Sequence, residues 1–397
     1  MACALVLALG LIALPGSVRG QRQTTRRERV RERRTSSRRH HRLDVSKIND
    51  PNTRDQIGPH SQGDAVVRAG ILLDRLKFSP GEIGSEYNNN FAEAVAAFQS
   101  ASGLPAIGSV DATTWDALND DQASGHVQPK QPQKAPPENP PPKPSSQSAS
   151  PPHPPPNLPP AVIPYVIRLE DVNGHFTRLP EVSGRDAGER RILREARFRQ
   201  LNYSSPVELL AEKFHSSPAL LRALNPGKGF RRAGEQIEVP NVATPPPPQA
   251  ASVVVDASTH SVAALDSGGK ILAFDPATVG SQHDPLPVGN WKVVKVEWYP
   301  KYKYNPNLFW DSENKHPRAT LAAGPRNPVG VVWIQLSKPH YGIHGTPDPA
   351  LIGRTQSHGC IRLTNWDAAE LARMVHSGTP VLLEEGTPSH AQLQRSR

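Results

Sequence analysis

Proline is the feature that most limits how this chain of 397 residues can fold, because 43 prolines are too many for one compact domain. Sixteen lie within residues 129–164, and four more form the run 245–248. Proline fixes φ and lacks an amide donor, so such runs stay extended, near polyproline II. We therefore predict separate small folded units joined by linkers at 123–164 and 243–251. At about 3.1 Å per residue, the longer linker could separate its neighbours by up to about 100 Å.

The formal net charge of +9 belongs to one segment. Of 46 basic and 37 acidic residues, eleven arginines and two glutamates lie within residues 19–42, which leaves 35 of each sign elsewhere. A nucleic-acid-binding domain would carry its positive charge on a folded face, so we expect no nucleic-acid partner. Residues 21–60 are predicted to be a basic disordered arm. The arm could be attracted to an anionic envelope surface or could be a solvated spacer.

The first twenty residues resemble a secretory signal peptide. Residues 2–14 are almost wholly apolar, and small residues at Val18 and Gly20 suit a cleavage site. The apolar run is too short to span a bilayer, and no other stretch could do so. We therefore expect an exported protein with no integral membrane segment after signal removal. Residues 387–397 are predicted to be a disordered tail.

Residues 61–122 have the apolar spacing of a small three-helix bundle. Two helix faces repeat apolar residues at i, i+3, i+4 and i+7, Gly103 can end the second helix, and Asp111 can cap a third. The faces consist of Ala69, Leu72, Leu73 and Leu76, then Phe91, Ala94, Val95 and Phe98. The segment 91–104, followed by Gly108 and Thr113-Thr-Trp115, resembles a peptidoglycan-binding-1 domain. The aromatic residues themselves can equally be core.

Residues 200–242 predict two short helices and a closing strand. Ser205 and Ser217 each precede a proline at a helix start, Asn225-Pro226 ends the second helix, and residues 236–240 read as a strand. This unit resembles a LysM module, a βααβ fold that binds N-acetylglucosamine-containing glycans. The first strand would lie in the degraded stretch 202–205, so the module could also be a spacer.

Residues 252–386 change to a strand pattern and form the third predicted unit. Strands are expected at 253–255, 261–265, 270–274, 291–296, 331–336 and 381–384. One helix should follow Thr364 as its cap and end at Gly378 and Pro380. These patterns predict a β-rich domain of paired sheets or one curled sheet.

The chemistry concentrates in Ser357-His358-Gly359-Cys360-Ile361-Arg362, with His344 sixteen residues before the cysteine. The other cysteine, Cys3, lies in the predicted signal peptide. An imidazole can take the proton of a thiol and stabilise the thiolate as an ion pair. His358 is two residues from Cys360 and would share its side of an extended segment.

Other groups in this stretch suit acyl transfer. Gly359 would let the backbone bend past a substrate, and the amides of Cys360 and Gly359 could bind an oxyanion. Arg362 could bind a carboxylate. Three alternatives remain open from spacing: a buried core cysteine, a zinc site of His344, His358 and Cys360, or ordinary surface histidines.

The motif resembles the L,D-transpeptidase (YkuD) family. The resemblance rests on His344-Gly345-Thr346, Ser357-His358-Gly359-Cys360 and Arg362-Leu363-Thr364, with 323–330 and Tyr341-Gly342-Ile343 before them. It implies a β-sandwich catalytic domain with one helix after the nucleophile, within a multidomain chain. It also implies Cys360 as nucleophile, His344 as base, and His358 and Ser357 as orienting residues. Supporting or substrate-binding roles would fall to Gly359, Arg362, Tyr341, Gly345 and Thr346.

The resemblance further implies acyl transfer on peptidoglycan without a metal or cofactor, by an enzyme of the periplasm that is associated with the cell wall. Cys360 would form a thioester with a tetrapeptide stem, and an amine would resolve it, giving a 3→3 crosslink. A lipoprotein lysine or water as acceptor would give anchoring or L,D-carboxypeptidase activity. A non-catalytic cell-wall binding protein is the alternative from another class, and a zinc hydrolase is a more distant one.

Overall fold

A computed structural model describes residues 42–124, 158–178, 187–281, 283–308, 317–357 and 359–386. The predicted signal peptide, most of the arm, most of the long linker and the C-terminal tail lie outside these residues. Among the described residues, no helix is long and apolar enough to cross a membrane.

The described elements follow the predicted change from helices to strands. Two 3-10 turns, at Pro306–Leu308 and Pro349–Leu351, accompany them. In chain order the elements are α1 (Val45–Ile48), α2 (Asp64–Arg75), α3 (Asn89–Ala101), α4 (Ala112–Ser124), β1 (Val162–Val166), α5 (Leu169–Val172), α6 (Ala187–Glu195), α7 (Pro206–Lys213), α8 (Pro218–Leu224), β2 (Gln236–Pro240), β3 (Ser252–Asp256), β4 (Ser261–Leu265), β5 (Ile271–Pro276), β6 (Gly289–Trp298), β7 (Tyr302–Tyr304), β8 (Ala319–Leu321), β9 (Val332–Leu336), β10 (Gly342–His344), β11 (Ile361–Arg362), α9 (Asn365–Met374) and β12 (Pro380–Glu384).

Helices α2, α3 and α4 confirm the predicted three-helix domain. Asp111 accepts a hydrogen bond from the amide of Thr114 at 2.8 Å, and Gly103 follows α3 with φ of +72°. Phe78 and Phe98 meet edge to face in the core of this domain, with ring centroids 5.5 Å apart.

The predicted disordered arm is wrong at its C-terminal end. Ile48 and Ile57 are fully buried, and Ile57 exchanges backbone hydrogen bonds with Val110. Two isoleucines and the short helix α1 give residues 42–60 enough apolar surface to pack on the helical domain. The arginine-rich part of the arm remains outside the described residues.

The first strand of the middle unit lies about forty residues before its expected position. β1 pairs antiparallel with β2 over five residue pairs, from Val162 opposite Pro240 to Val166 opposite Gln236. The sequence prediction placed the strand near 202–205, forty residues too late, and counted Val162 as linker. Prolines around the strand hid it, because the surrounding composition is that of an extended linker. Helices α7 and α8 precede β2, with α5 and α6 between β1 and α7, and Asn225 bonds both α8 and β2.

The three units pack directly against one another, and the expectation of widely separated domains is wrong. The backbone of Phe274 in β5 bonds with Lys77 and Ser79 of the helical domain, with N···O distances of 2.8 Å. Ile83 bonds in the same way with His215 and Ser217 of the middle unit. The proline-rich composition of the linkers therefore does not keep the units apart, because each unit offers edge backbone groups and apolar side chains to the next.

The catalytic-domain candidate is built on one curled eight-stranded sheet. Its strand order is β11-β10-β9-β6-β12-β3-β4-β5. The long strand β6 pairs through its first half with β12 and through its second half with β9, and the register shifts between Val293 and Lys295. Such a shift bends and twists the sheet, so its two halves enclose one apolar core. The curled sheet, one of the two arrangements predicted from the strand pattern, is therefore confirmed, and the β-sandwich implied by the family resemblance is here a single sheet that curls through β6.

Helix α9 follows the candidate nucleophile as predicted. Thr364 accepts a hydrogen bond from the amide of Asp367 at 3.1 Å, which caps the helix. Ala368, Leu371 and Ala372 are buried in the core of the curled sheet. The helix thereby fixes the chain direction immediately after β11.

Candidate active site

Two short strands at the edge of the curled sheet bring the candidate nucleophile and base together. β10 and β11 run parallel, with Ile343 opposite Ile361 and His344 opposite Arg362. The amide of Leu363 donates to the carbonyl oxygen of His344 at 2.8 Å. Cys360 directly precedes β11, so this register brings it beside Gly342, two residues before His344.

Cys360 carries a free thiol and is half-buried. Its Sγ donates to the carbonyl oxygen of His340 at 3.7 Å. Burial raises the pKa of the thiol above its usual value, against the lowering effects of the Gly342 amide and the Arg362 guanidinium. The thiol is therefore protonated at neutral pH, with two groups nearby that favour the thiolate once the proton has left.

His344 is only 3% exposed and is held on two sides. Its Nδ1 lies 2.7 Å from the carbonyl oxygen of Gly345, and its ring stacks on Trp333 with centroids 5.4 Å apart. Burial lowers the pKa of His344 to about 3, and the charge of Arg362 acts in the same direction. The hydrogen bond to Gly345 opposes this shift but does not reverse it.

These contacts define the state of the imidazole. A carbonyl oxygen only accepts, so Nδ1 of the neutral ring carries the proton, and Nε2 keeps its lone pair. The ring can therefore accept a proton at Nε2. The residue pattern predicted a thiolate stabilised as an ion pair, whereas the structure favours a neutral thiol and a neutral imidazole.

Ser357 and Gly359 shape the turn that carries Cys360. The Ser357 hydroxyl donates to the carbonyl oxygen of Cys360 at 2.6 Å, and its amide donates to Gly280. Gly359 has φ of +98°, and an added Cβ would lie 2.9 Å from Cε1 of Tyr341. Both observations explain why a small residue without a Cβ stands before the cysteine.

Arg362 lies within the electrostatic reach of the thiol. Burial lowers the pKa of Arg362, while Cys360, Tyr302 and Asp348 raise it. Asp348 in turn donates its amide to the Thr346 hydroxyl at 3.2 Å. The guanidinium is thus available beside the thiol for an anionic group.

The predicted site residues fall into two groups. Nine were predicted, and the structure gathers eight of them around β10 and β11; the ninth, His358, lies outside the described residues. The eight are Cys360, His344, Ser357, Gly359, Arg362, Tyr341, Gly345 and Thr346.

Two neighbours of the site were missed by sequence reasoning. Burial raises the pKa of Tyr302 to about 12, and the charge of Cys360 acts in the same direction. Asn365 fills the space behind Gly345, whose added Cβ would lie 2.2 Å from Asn365 Oδ1. The strand Tyr302–Tyr304 was not among the predicted strands, and no local pattern linked Tyr302 to a site far along the chain.

A metal site was one alternative from spacing. Within the described residues, no group of three or more histidine, cysteine or carboxylate side chains is placed to hold a metal ion. His358, one of the three ligands considered, lies outside the described ranges. The finding therefore covers only His344 and Cys360 of the predicted set.

Comparisons with known families match two of the three units. Residues 250–383 match the L,D-transpeptidase catalytic domain, YkuD, and residues 62–118 match a peptidoglycan binding domain. The sequence prediction of both is confirmed; the LysM-like unit, residues 200–242, remains a prediction.

Curated relatives carry the same assignment. The chain is 30% identical over 186 residues to the L,D-transpeptidase YkuD of Bacillus subtilis. The alignment covers 46% of this chain and 96% of the relative. The relative of the same name from Bacillus licheniformis is 31% identical, with 46% and 95% covered. YbiS of Escherichia coli, named an L,D-transpeptidase, is 26% identical, with 45% and 60% covered.

The B. subtilis alignment reaches beyond the catalytic domain. Its 46% share of this chain is more than residues 250–397 contain, so it also includes residues before 250. A solved L,D-transpeptidase from Mycobacterium smegmatis has a TM-score of only 0.28 at 21% identity, over 38% of this chain and 63% of its own, and adds nothing to the assignment. With relatives matched over nearly their whole length and a cysteine–histidine arrangement at the edge of the curled sheet, this chain belongs to the L,D-transpeptidase YkuD family.

Proposed function

We propose that the chain is a cysteine-dependent L,D-transpeptidase of peptidoglycan that forms a thioester on Cys360. The acyl donor is a tetrapeptide stem. The acceptor is the amine of a neighbouring stem, which gives a 3→3 crosslink. The observation that supports this assignment best is the parallel register of β10 and β11, because it brings Cys360, just before β11, beside Gly342 of β10, the strand that carries His344. Residues 342 and 344 share one side of that strand.

The proton path follows from the neutral resting pair. In the first step, Cys360 Sγ attacks the carbonyl carbon of the third stem residue while His344 Nε2 takes the thiol proton. The bond to the terminal D-alanine then breaks, and its nitrogen leaves with the proton from His344. In the second step, the acceptor amine attacks the thioester, gives a proton to His344, and Cys360 recovers its thiol.

The residues around the thiol support the charges that develop in these steps. The amides of Gly359 and Cys360 are candidates for the oxyanion, and the positive φ of Gly359 keeps that backbone free of a side chain. Arg362 is the candidate for a stem carboxylate. Ser357 holds the turn through Cys360, and His358 is proposed to orient the site.

The first two units are proposed to deliver the enzyme to the wall. The helical domain matches a peptidoglycan binding domain over residues 62–118. The middle unit, with a cleft of about 530 Å³ between Ser205 and Arg231, is proposed as a LysM-like glycan-binding module. Export to the periplasm is proposed from the leader-like residues 1–20.

Intact-protein mass spectrometry tests the covalent step. The wild type and Cys360→Ala are incubated with a tetrapeptide stem and separately with a carbapenem, a class that acylates family members. A mass increase in the wild type that is absent in Cys360→Ala is expected. An unmodified wild type with both reagents would remove the proposed nucleophile and favour a wall-binding protein without catalysis.

Muropeptide analysis separates the acceptors. Purified enzyme is incubated with tetrapeptide-rich peptidoglycan, with Cys360→Ala as the matched control. New 3→3 dimers support transpeptidation, whereas shortened stems with no dimers would assign water as the acceptor. Stems linked to an added lipoprotein would assign an anchoring activity.

A further inference from the structure

The middle unit touches the catalytic domain through a partly buried carboxylate, that of Glu212. Asn365, at the start of α9, donates from Nδ2 to Glu212 Oε2 at 3.0 Å. The hydroxyl of Tyr203 donates to the other oxygen, Glu212 Oε1, at 2.7 Å. Burial raises the pKa of Glu212 to about 7, although both hydrogen bonds favour the carboxylate. Glu212 is therefore hydrogen-bonded at both carboxylate oxygens.

Asn365 is itself held without freedom to move. It is 1% exposed, its Oδ1 accepts from the amide of Val331 at 3.2 Å, and its Nδ2 also donates to the carbonyl oxygen of Pro325 at 3.1 Å. Added Cβ atoms at Gly330 and Gly345 would lie 2.0 and 2.2 Å from Asn365 Oδ1. The amide group thus packs directly on the backbone of both glycines.

Gly345 is also the partner of the candidate base. Its carbonyl oxygen accepts the hydrogen bond from His344 Nδ1 at 2.7 Å, which fixes the ring and leaves Nε2 with its lone pair. A continuous series of contacts therefore runs from Glu212 to Asn365, then to the Gly345 backbone, and then to His344.

The same unit holds the loop in front of this network. Leu201 donates its amide to Ala323 at 3.1 Å, and its carbonyl oxygen accepts from the amide of Arg326 at 3.0 Å. The Arg326 guanidinium meets Glu208, one helical turn before Glu212, at 2.8 Å. The middle unit is therefore attached on both sides of the backbone that supports Asn365.

We propose that Glu212 is a positioning residue of the transpeptidase site, which holds His344 in its reactive orientation through Asn365 and Gly345. This role rests on the proposed function of His344 as the base. It makes the middle unit a structural part of the active site as well as a wall-binding module. The alignment with B. subtilis YkuD is consistent with this role, because it includes residues before the catalytic domain.

Acylation kinetics test the consequence for catalysis. Glu212→Ala removes one of the two acceptors of Asn365 Nδ2 and leaves only the Pro325 carbonyl oxygen. We expect the rate constant for acylation of Cys360 by a carbapenem to fall about 10- to 100-fold, with little change in carbapenem binding. Glu212→Gln keeps an acceptor oxygen and should recover most of the rate. Glu170→Ala, an exposed carboxylate on the same unit, is the matched control and should stay within about twofold.

An activity-independent measurement distinguishes this inference from the proposed function. In protein labelled with ¹⁵N-histidine, the Nδ1–H signal of His344, assigned by its loss in His344→Gln, should be protected from exchange in the wild type. We expect it to exchange faster in Glu212→Ala and to be unchanged in Glu170→Ala. An unchanged signal in folded Glu212→Ala, or wild-type acylation by that variant, would overturn the positioning role. If the wild type is not acylated but the Nδ1–H signal exchanges faster in Glu212→Ala as expected, only the proposed chemistry is rejected.

Discussion

Nδ1 of His344 donates to the carbonyl oxygen of Gly345 at 2.7 Å, so the residue next to the candidate base fixes which nitrogen is free. Because the carbonyl cannot donate, the neutral ring presents Nε2 as a base. Burial and Arg362 hold the pKa of His344 near 3, so this form persists through neutral and mildly acidic pH. The backbone of one residue therefore sets both tautomer and orientation.

This state predicts an unusual pH profile. The rate of Cys360 acylation should show no inflection near the ordinary histidine pKa of about 6.5, because His344 remains neutral down to about pH 3. Single-turnover acylation by a carbapenem between about pH 5 and 8 provides the measurement. His376→Gln is the matched control, since that exposed ring also bonds to the next carbonyl, that of Ser377 at 2.9 Å. A rate that tracks a group titrating near 6.5 and survives His376→Gln would contradict the neutral base.

Gly345→Ala should disable the site while the rest of the fold persists. The new Cβ would lie 2.2 Å from Asn365 Oδ1 and 3.3 Å from Asn365 Cα, so the strand end or α9 must shift. A displacement near 1 Å at the base costs about 100-fold in rate. Acylation rates and circular dichroism are measured together, with Gly84→Ala as control because its nearest atom is 4.0 Å away. Unchanged acylation in Gly345→Ala would show that the contact with Asn365 is not constraining.

Ser357→Ala tests the turn that carries the nucleophile. The hydroxyl donates to the carbonyl oxygen of Cys360 at 2.6 Å, and the side chain is 3% exposed. Loss of a buried hydrogen bond costs about 1–3 kcal/mol, so acylation should slow by about 5- to 100-fold if the turn loosens. Ser357→Thr retains the hydroxyl, and its acylation rate should lie between those of the wild type and Ser357→Ala. Equal rates in wild type and Ser357→Ala would leave Ser357 without a role in placing Cys360.

The junction of the units should depend on pH through His215. Burial alone would lower the pKa of His215, but the Asp74 carboxylate, 3.1 Å from its ring nitrogen, raises it above the usual value. A raised folded pKa stabilises the protein fully below about pH 6.5, and this contribution is lost as pH rises through the folded pKa. Other groups that face this ring are Asp367 and Glu370 on α9.

Denaturant unfolding at about pH 6 and pH 8.5 measures that contribution. The free energy of unfolding of the wild type should fall more between these values than that of Asp74→Asn, which lacks the charged partner. Asp116→Asn is the control, because its ion pair with Arg54 is exposed and exposed pairs contribute about 0–1 kcal/mol. Parallel pH dependence in wild type and Asp74→Asn would exclude this pair as the source.

Local patterns predicted the elements that depend on local chemistry. Thr364 and Asp111 cap their helices as expected, and the strand at 261–265 has the predicted bounds. The cysteine–histidine region was also found, because its residue types are rare and closely spaced. The strand Val162–Val166 was not, because its partner lies some seventy residues later and its own composition is proline-rich.

Contacts between units were beyond the sequence for a related reason. Glu212 and Asn365 are each ordinary in their own helices, and nothing in their neighbours predicts a bond of 3.0 Å between them. The state of His344 was missed likewise, because its pKa depends on burial by residues from several strands. The bond between Glu212 and Asn365 and the pKa of His344 both depend on residues that are distant in the sequence and close in the fold.

The pairing of Val162 with Asn49 has a consequence for the proline-rich stretch 125–157. Asn49 exchanges two side-chain hydrogen bonds with the backbone of Val162, at 2.8 and 2.9 Å, and Arg75 reaches Pro159 at 3.2 Å. The residues on either side of the stretch are thus fastened to one helical domain. A protease that cuts within 125–157 should yield two fragments that copurify and separate only in denaturant, as in a nicked protein held by its own fold.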